Sequence, residues 1–204
     1  MRLFFAILAA LALASCITPD DDRFHVGQSD RSFVIIGLAE SAENTSARYS
    51  LLWRMIDGES FAEFDDRYLI QAETNSRGSI RVRGVPGEFL VFEVRPGTYA
   101  LDGVYAIIRD RSVNYVADGL IEGPPRPAFD VAAGEAVYIG IWQSNIEDVR
   151  AVARLWRLDD ADLRAALNST EELVVGPVRL RETYERAVAC TPRRVNTLSQ
   201  RRIC

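Results

Sequence analysis

Side chains able to act as nucleophiles, acids, bases or metal ligands are few and scattered in this 204-residue chain. The three thiols are Cys16, Cys190 and Cys204, and a thiolate can attack an electrophile, ligate a metal or pair with another thiol. His25 is the only histidine and falls in a polar stretch, so a Ser-His-Asp triad or a His-based metal site would have to recruit it from there. Asp65-Asp66 has the chemistry for acid/base work on a glycan. Neighbours on an extended chain point opposite ways, however, and Gly58–Arg67 reads as a polar connection. Asp20-Asp21-Asp22 makes a poor calcium cage for the same reason. The cluster Asp159, Asp160, Asp162 lacks the loop glycine of an EF-hand, and helix capping explains it with less. Every one of the 24 Lys-plus-Arg residues is arginine, which excludes a lysine Schiff base and a P-loop lysine. No catalytic residue, metal ligand or cofactor is therefore expected.

Around Cys16 the picture is sharper. Arg2 precedes an uninterrupted apolar run from Leu3 to Leu13, the length of a signal-peptide core and short of the roughly 20 residues a membrane span needs. The run ends in Leu13-Ala14-Ser15-Cys16. This resembles the lipobox of bacterial lipoproteins, a branched apolar residue and two small ones before the cysteine. The resemblance implies that residues 1–15 are removed and that Cys16 carries the lipid that anchors the chain to the membrane. Ile17 stands where an aspartate retains such proteins in the inner membrane, so the outer membrane is the favoured destination. Ile17–Ser32, with Pro19, the aspartate triplet and Gly27, reads as a solvated tether (16–32).

With Cys16 acylated, Cys190 and Cys204 are left in an oxidising compartment, and a disulfide between them is expected. The loop they would close, 190–204, holds Arg193, Arg194, Arg201 and Arg202 and no acid. These four are candidates for contact with anionic lipid head groups or lipopolysaccharide phosphates; the plainer reading is a solvated basic tail. The formal net charge of −5 argues against a nucleic-acid partner.

Positioning these groups falls to the domain at 33–189. Phe33–Leu38, Ala47–Ile56, Glu88–Val94, Thr98–Ile108, Ser112–Ala117, Ala136–Trp142 and Val149–Trp156 show period-two patterns or short apolar runs bounded by turn residues. About seven strands at this spacing predict a mainly β fold, an antiparallel β-sandwich. One short helix is expected over Asp160–Leu167, capped by Asp159, with Leu163, Ala166 and Leu167 as its apolar stripe. Tyr49 with Trp53, and Tyr138 with Trp142, share a strand face by periodicity, as core or as an exposed platform for a sugar or protein.

Pro96-Gly97 suits a type II turn joining Glu88–Val94 to Thr98–Leu101 as a hairpin, and Gly134 marks a second strand–turn–strand unit over Phe129–Gly140. Together these units resemble a family of bacterial envelope lipoproteins with a domain of unknown function, and share a Pro-Gly-x-Tyr corner with transthyretin-like and carboxypeptidase-regulatory sandwiches. The resemblance covers about Glu88–Trp142 and implies a sandwich in the envelope, with Tyr99 and Tyr138 as packing residues. The resulting expectation is a non-enzymatic, membrane-anchored lipoprotein facing the periplasm, which binds another envelope protein, a glycan or an anionic lipid. The alternative is a carboxylate-dependent hydrolase of cell-wall or envelope polymers.

Overall fold

The computed structural model describes residues 23–28, 30–41, 47–74, 79–80, 84–110, 113–123, 125–170, 173–195 and 201–204. The leader and Cys16 lie outside the described residues. In chain order the strands are β1 (Phe24–His25), β2 (Ser32–Glu40), β3 (Ala47–Asp57), β4 (Ser60–Phe61), β5 (Leu69–Glu73) and β6 (Ser79–Ile80). Next come β7 (Val85–Val94), β8 (Gly97–Asp110), β9 (Val113–Leu120), β10 (Arg126–Val131), β11 (Ala136–Glu147) and β12 (Arg150–Arg157). The helix α1 (Asp160–Ser169) follows, then β13 (Val174–Val175), β14 (Val178–Leu180), β15 (Tyr184–Arg186), β16 (Arg193–Arg194) and β17 (Arg202–Ile203).

Two sheets pack face to face. The first runs β15-β10-β8-β3-β4, with β5 on β3 and β9 on β8; the second runs β12-β11-β2-β7-β6, with β14 on β11. The fold is thus the mainly β sandwich with one helix read from the sequence. Its pairing is not purely antiparallel, because β11 runs parallel to both β2 and β14. Between the sheets lie Val34, Ile36 and Leu38 of β2, Tyr49, Leu51 and Trp53 of β3, Tyr99, Leu101, Val104 and Ala106 of β8, and Val137, Ile139 and Trp142 of β11. α1 covers the outer face of the second sheet, laying Ala166 and the flanks of Leu163 and Leu167 against Ile35, Ala39, Tyr138 and Ile141. Asp159 caps it by accepting the Asp162 amide at 2.8 Å, as its position before the apolar stripe predicts.

Both units read as hairpins are corners between sheets. β7 pairs with β2 and β6, whereas β8 pairs with β3, β9 and β10. Arg95-Pro96-Gly97 therefore carries the chain across the sandwich. The turn at Gly134 forms, with φ +73° and the Glu135 amide bonded to Ala132 O at 3.1 Å, yet β10 and β11 also belong to opposite sheets. Local turn chemistry specifies a reversal of direction, not which neighbour the next strand will take. The Tyr99 hydroxyl closes the first corner by donating to Arg95 O at 3.0 Å, the geometry of a tyrosine corner.

Tyr138 and Trp142 do not share a face. Three steps along β11, from Tyr138 to Ile141, match two along β2, from Ile35 to Gly37. The extra residue makes a bulge at Gly140, whose φ is +90°. A one-residue slip inverts every later side chain, so Trp142 enters the inter-sheet core while Tyr138 packs under α1.

The stretch read as tether is also partly folded. Phe24 and His25 pair in parallel with Val174 and Val175, and Phe24 stacks on Phe33 with ring centroids 4.0 Å apart.

Candidate functional site

Three charged residues belong to the first sheet at buried positions: Arg54 in β3, Asp102 in β8 and Arg126 at the start of β10. Asp102 is an extra residue on β8, opposite the step from Leu52 to Trp53 on β3. The bulge turns its carboxylate onto the outer face of the sheet, where Arg54 and Arg126 also project. All three are buried, at 1% exposure or less. Arg54 Nε lies 3.5 Å from Asp102 Oδ2, and Arg126 Nη1 lies 3.9 Å from Asp102 Oδ1. Arg126 Nη1 also donates to the Leu101 and Asp102 carbonyls at 3.3 Å, and Nη2 donates to Ile121 O. The Phe61 ring lies 4.6 Å from the Arg54 guanidinium and 5.1 Å from that of Arg126, a cation–π contact with each.

What buries this cluster is the segment Arg201–Cys204. Cys190 and Cys204 sit at disulfide-bonding distance, with their Cα atoms 4.6 Å apart. Asp102 Oδ1 accepts the Cys204 amide at 3.0 Å, Arg54 Nη2 donates to Cys204 O at 3.2 Å, and Arg126 Nη2 lies 3.5 Å from Cys204 Sγ. Ile203 is buried against Leu52 and Tyr105, and the Tyr105 hydroxyl donates to Arg202 O. Burial pushes the Asp102 carboxyl above its ordinary value, against the pull of Arg54, the Cys204 amide and Arg126. Burial likewise draws Arg54 and Arg126 downward from the ordinary arginine value.

Holding this strap in place is a close balance. Ordering four residues costs roughly 1–2 kcal/mol each. Burying Ile203 returns about 1.5–3 kcal/mol, and the half-exposed Arg202 pairs add about 1 kcal/mol at most. The disulfide contributes on the order of 3 kcal/mol. It therefore acts beside the hydrogen bonds that Cys204 makes to Asp102 and Arg54.

The four arginines of this loop are not equivalent. Arg202 Nε pairs with Asp118 Oδ2 at 2.6 Å and Nη1 with Glu122 Oε1 at 2.8 Å. Arg201 lies 5.9 Å from the Tyr105 ring. Arg193 and Arg194 are exposed on β16, which pairs with β17. The loop itself contains no acid, but the fold brings two acids from β9 and its exit to it.

A second candidate lies around the Arg95–Pro96 corner, where two open grooves meet. One, of about 460 Å³, includes Asp30, Arg31, Asp66, Arg67 and Glu93 in its lining; the other, of about 620 Å³, includes Met55, Asp57, Glu63 and Tyr68. Both share Arg95 and Pro96. Tyr68 is flanked by guanidiniums, Arg95 at 5.2 Å and Arg67 at 5.5 Å from its ring centroid. Asp65, the N-cap of the 3₁₀ turn Asp66–Tyr68, accepts the Arg67 amide at 2.9 Å and its Nε and Nη2 at 2.8 Å. Those bonds hold its carboxyl down to about 2. Glu93 is engaged by Arg31 through both carboxylate oxygens.

Sequence reasoning missed Arg54, Asp102, Arg126 and the groove residues Tyr68 and Arg95. Arg54 and Asp102 had a readable signal, a charge inside an apolar strand, whereas Arg126 opens β10 and had none. Among the described residues no group of three or more His, Cys, Asp or Glu side chains is placed to hold a metal ion, and no helix is long and apolar enough to cross a membrane. The chain matches no family model, no curated protein and no solved structure.

Proposed function

We propose that the protein is a membrane-anchored periplasmic lipoprotein, held by acylated Cys16 and acting as a non-enzymatic binding module of the bacterial envelope, at the outer membrane in preference to the inner. The leader Met1–Cys16 supports the anchor, and a cysteine pair at bonding distance fits an oxidising compartment. The observation that carries the binding reading is the charge arrangement of the corner groove. Glu93 in the groove lining is locked in a bidentate pair with Arg31, and Asp65, which caps the turn that brings Asp66 and Arg67 to the groove, is held by Arg67 at a pKa of about 2, opposite to the raised value a general acid needs. Arg95, by contrast, makes no ion pair among the described residues and stacks on Tyr68, ready for a partner's acidic group. Arg193 and Arg194 offer a secondary contact with anionic head groups, to which Arg202 contributes less because it is already neutralised.

Cys16→Ser tests the anchor: the chain should leave the membrane fraction, and continued membrane association refutes it. Crosslinking in the native host tests the groove, since a partner captured by the wild type should be lost with Arg95→Ala. Turnover of peptidoglycan fragments by the purified chain would replace the binding reading with the hydrolase.

A further inference from the structure

The two sulfurs of the disulfide have unlike surroundings. Cys190 lines an open depression of about 510 Å³, together with Glu59, Glu122 and Ala187–Ala189. Its segment is fixed alongside β4, where the Ala189 amide donates to Glu59 O at 2.8 Å and Ala189 bridges Ser60. Cys204, half-buried like Cys190, has its backbone bonded to Asp102 and Arg54 and its sulfur 3.5 Å from Arg126 Nη2.

We propose that Cys190 is a site of thiol–disulfide exchange with an incoming dithiol, and that the exchange unlatches Arg201–Cys204 from the Arg54–Asp102–Arg126 cluster. The dithiol's thiolate enters through the depression and bonds to Cys190 Sγ while the Cys190–Cys204 bond breaks. The electron pair leaves on Cys204 Sγ, beside the Arg126 guanidinium. A cation at that distance stabilises the leaving thiolate and sets which sulfur is attacked. The dithiol's second thiol then displaces Cys190 and closes the dithiol's own disulfide. Two electrons and two protons pass to the protein, which ends with both cysteines as thiols. Cys190 stays moored beside β4, whereas Cys204 loses the covalent bond that ties its segment to Cys190 and keeps only the hydrogen bonds to Asp102 and Arg54. Its departure uncovers two guanidiniums against one carboxylate, with Phe61 between them. The inference does not depend on the compartment proposed above.

The full chain is treated with a monothiol, 2-mercaptoethanol, quenched with iodoacetamide and mapped by mass spectrometry. The mixed disulfide should form on Cys190 in about tenfold excess over Cys204, with Cys204 alkylated. Equal adducts, or an excess on Cys204, overturn the proposal. Arg126→Gln should bring the two adducts toward equality while near-ultraviolet dichroism of the tryptophan core is retained; if that variant does not fold, the wild-type ratio decides. Full reduction with dithiothreitol should raise amide exchange at Ile203 and Cys204 and leave that of Leu51 and Val104 protected. Unchanged exchange at Ile203 and Cys204 refutes the unlatching, as does loss of protection throughout both sheets.

Discussion

Trp53 and Trp142 meet edge to face across the sandwich, with ring centroids 4.9 Å apart and planes inclined at 81°. Each comes from a different sheet, and Phe129 packs on Trp53 at 5.3 Å, so the pair forms the seam that joins the two layers. Trp142 also donates its indole N–H to Ile139 O at 3.1 Å. Trp142→Ala should therefore cost about 3–5 kcal/mol of unfolding free energy. Urea denaturation followed by far-ultraviolet dichroism measures it, and a loss below about 1 kcal/mol would show that this ring does not hold the sheets together.

How that contact arises explains what was legible in the sequence. Period-two patterns and short apolar runs located β2, β3, β7, β8, β9, β11 and β12, and the Asp159 cap with the Leu163, Ala166 and Leu167 stripe located α1, because each has at least one face to bury. Pairing was less accessible. Pro96-Gly97 and Gly134 announce reversals, but whether a strand returns beside its predecessor or crosses to the other sheet depends on the competing surfaces of distant strands. The bulge at Gly140 is invisible to periodicity, since it breaks the very count on which periodicity rests. The pairing of Cys190 with Cys204 was legible because the sequence holds three thiols, and reading Cys16 as a lipid site leaves one pair. The assembly of Arg54, Asp102 and Arg126 into one cluster was not, since three separate strands bring them together and a second bulge aims the carboxylate.

Val149 illustrates the same limit at a single residue. Its β-branched side chain reads as the start of a strand, yet it sits in the turn of the β11–β12 hairpin at φ +62°, after Asp148 at φ +46°. It is 86% exposed. Such turns favour Asp-Gly, and a left-handed conformation costs an L residue about 1–2 kcal/mol. Val149→Gly should raise stability by about 0.5–1 kcal/mol once glycine's larger unfolded-state entropy is counted. A fall in the denaturation midpoint would mean that the valine side chain makes a stabilising contact.

Burial also sets an alkaline limit on the fold. It pushes the Tyr49 phenol up to about 12, helped by the charge of Glu40, and Tyr99 up to about 12 as well. Tyr105 and Tyr138 are raised in the same direction. The folded state thus keeps protons that the unfolded chain releases near pH ~10. Stability is intact below that pH and falls as pH rises from about 10 toward 12, by up to about 1.4 kcal/mol per pH unit for each phenol. Urea midpoints should drop across this window, and tyrosinate absorbance for these residues should appear together with unfolding. A midpoint that stays constant from pH ~9 to ~11 would contradict the burial of these hydroxyls.

The sharpest single-site test lies at Asp102. Among the described residues its carboxylate is the one anion in ion pairs with Arg54 and Arg126, and it also receives the Cys204 amide. Asp102→Asn keeps the shape but leaves two buried guanidiniums uncompensated, which should cost about 3–5 kcal/mol with the disulfide intact. Replacing all three charges at once, as Arg54→Met, Asp102→Leu and Arg126→Met, removes the uncompensated charge and should recover most of that loss. Equilibrium denaturation of the two variants separates the contributions. If the triple variant is as unstable as Asp102→Asn, then the hydrogen bonds to Cys204 and the Leu101 and Asp102 carbonyls hold the site, and charge balance does not.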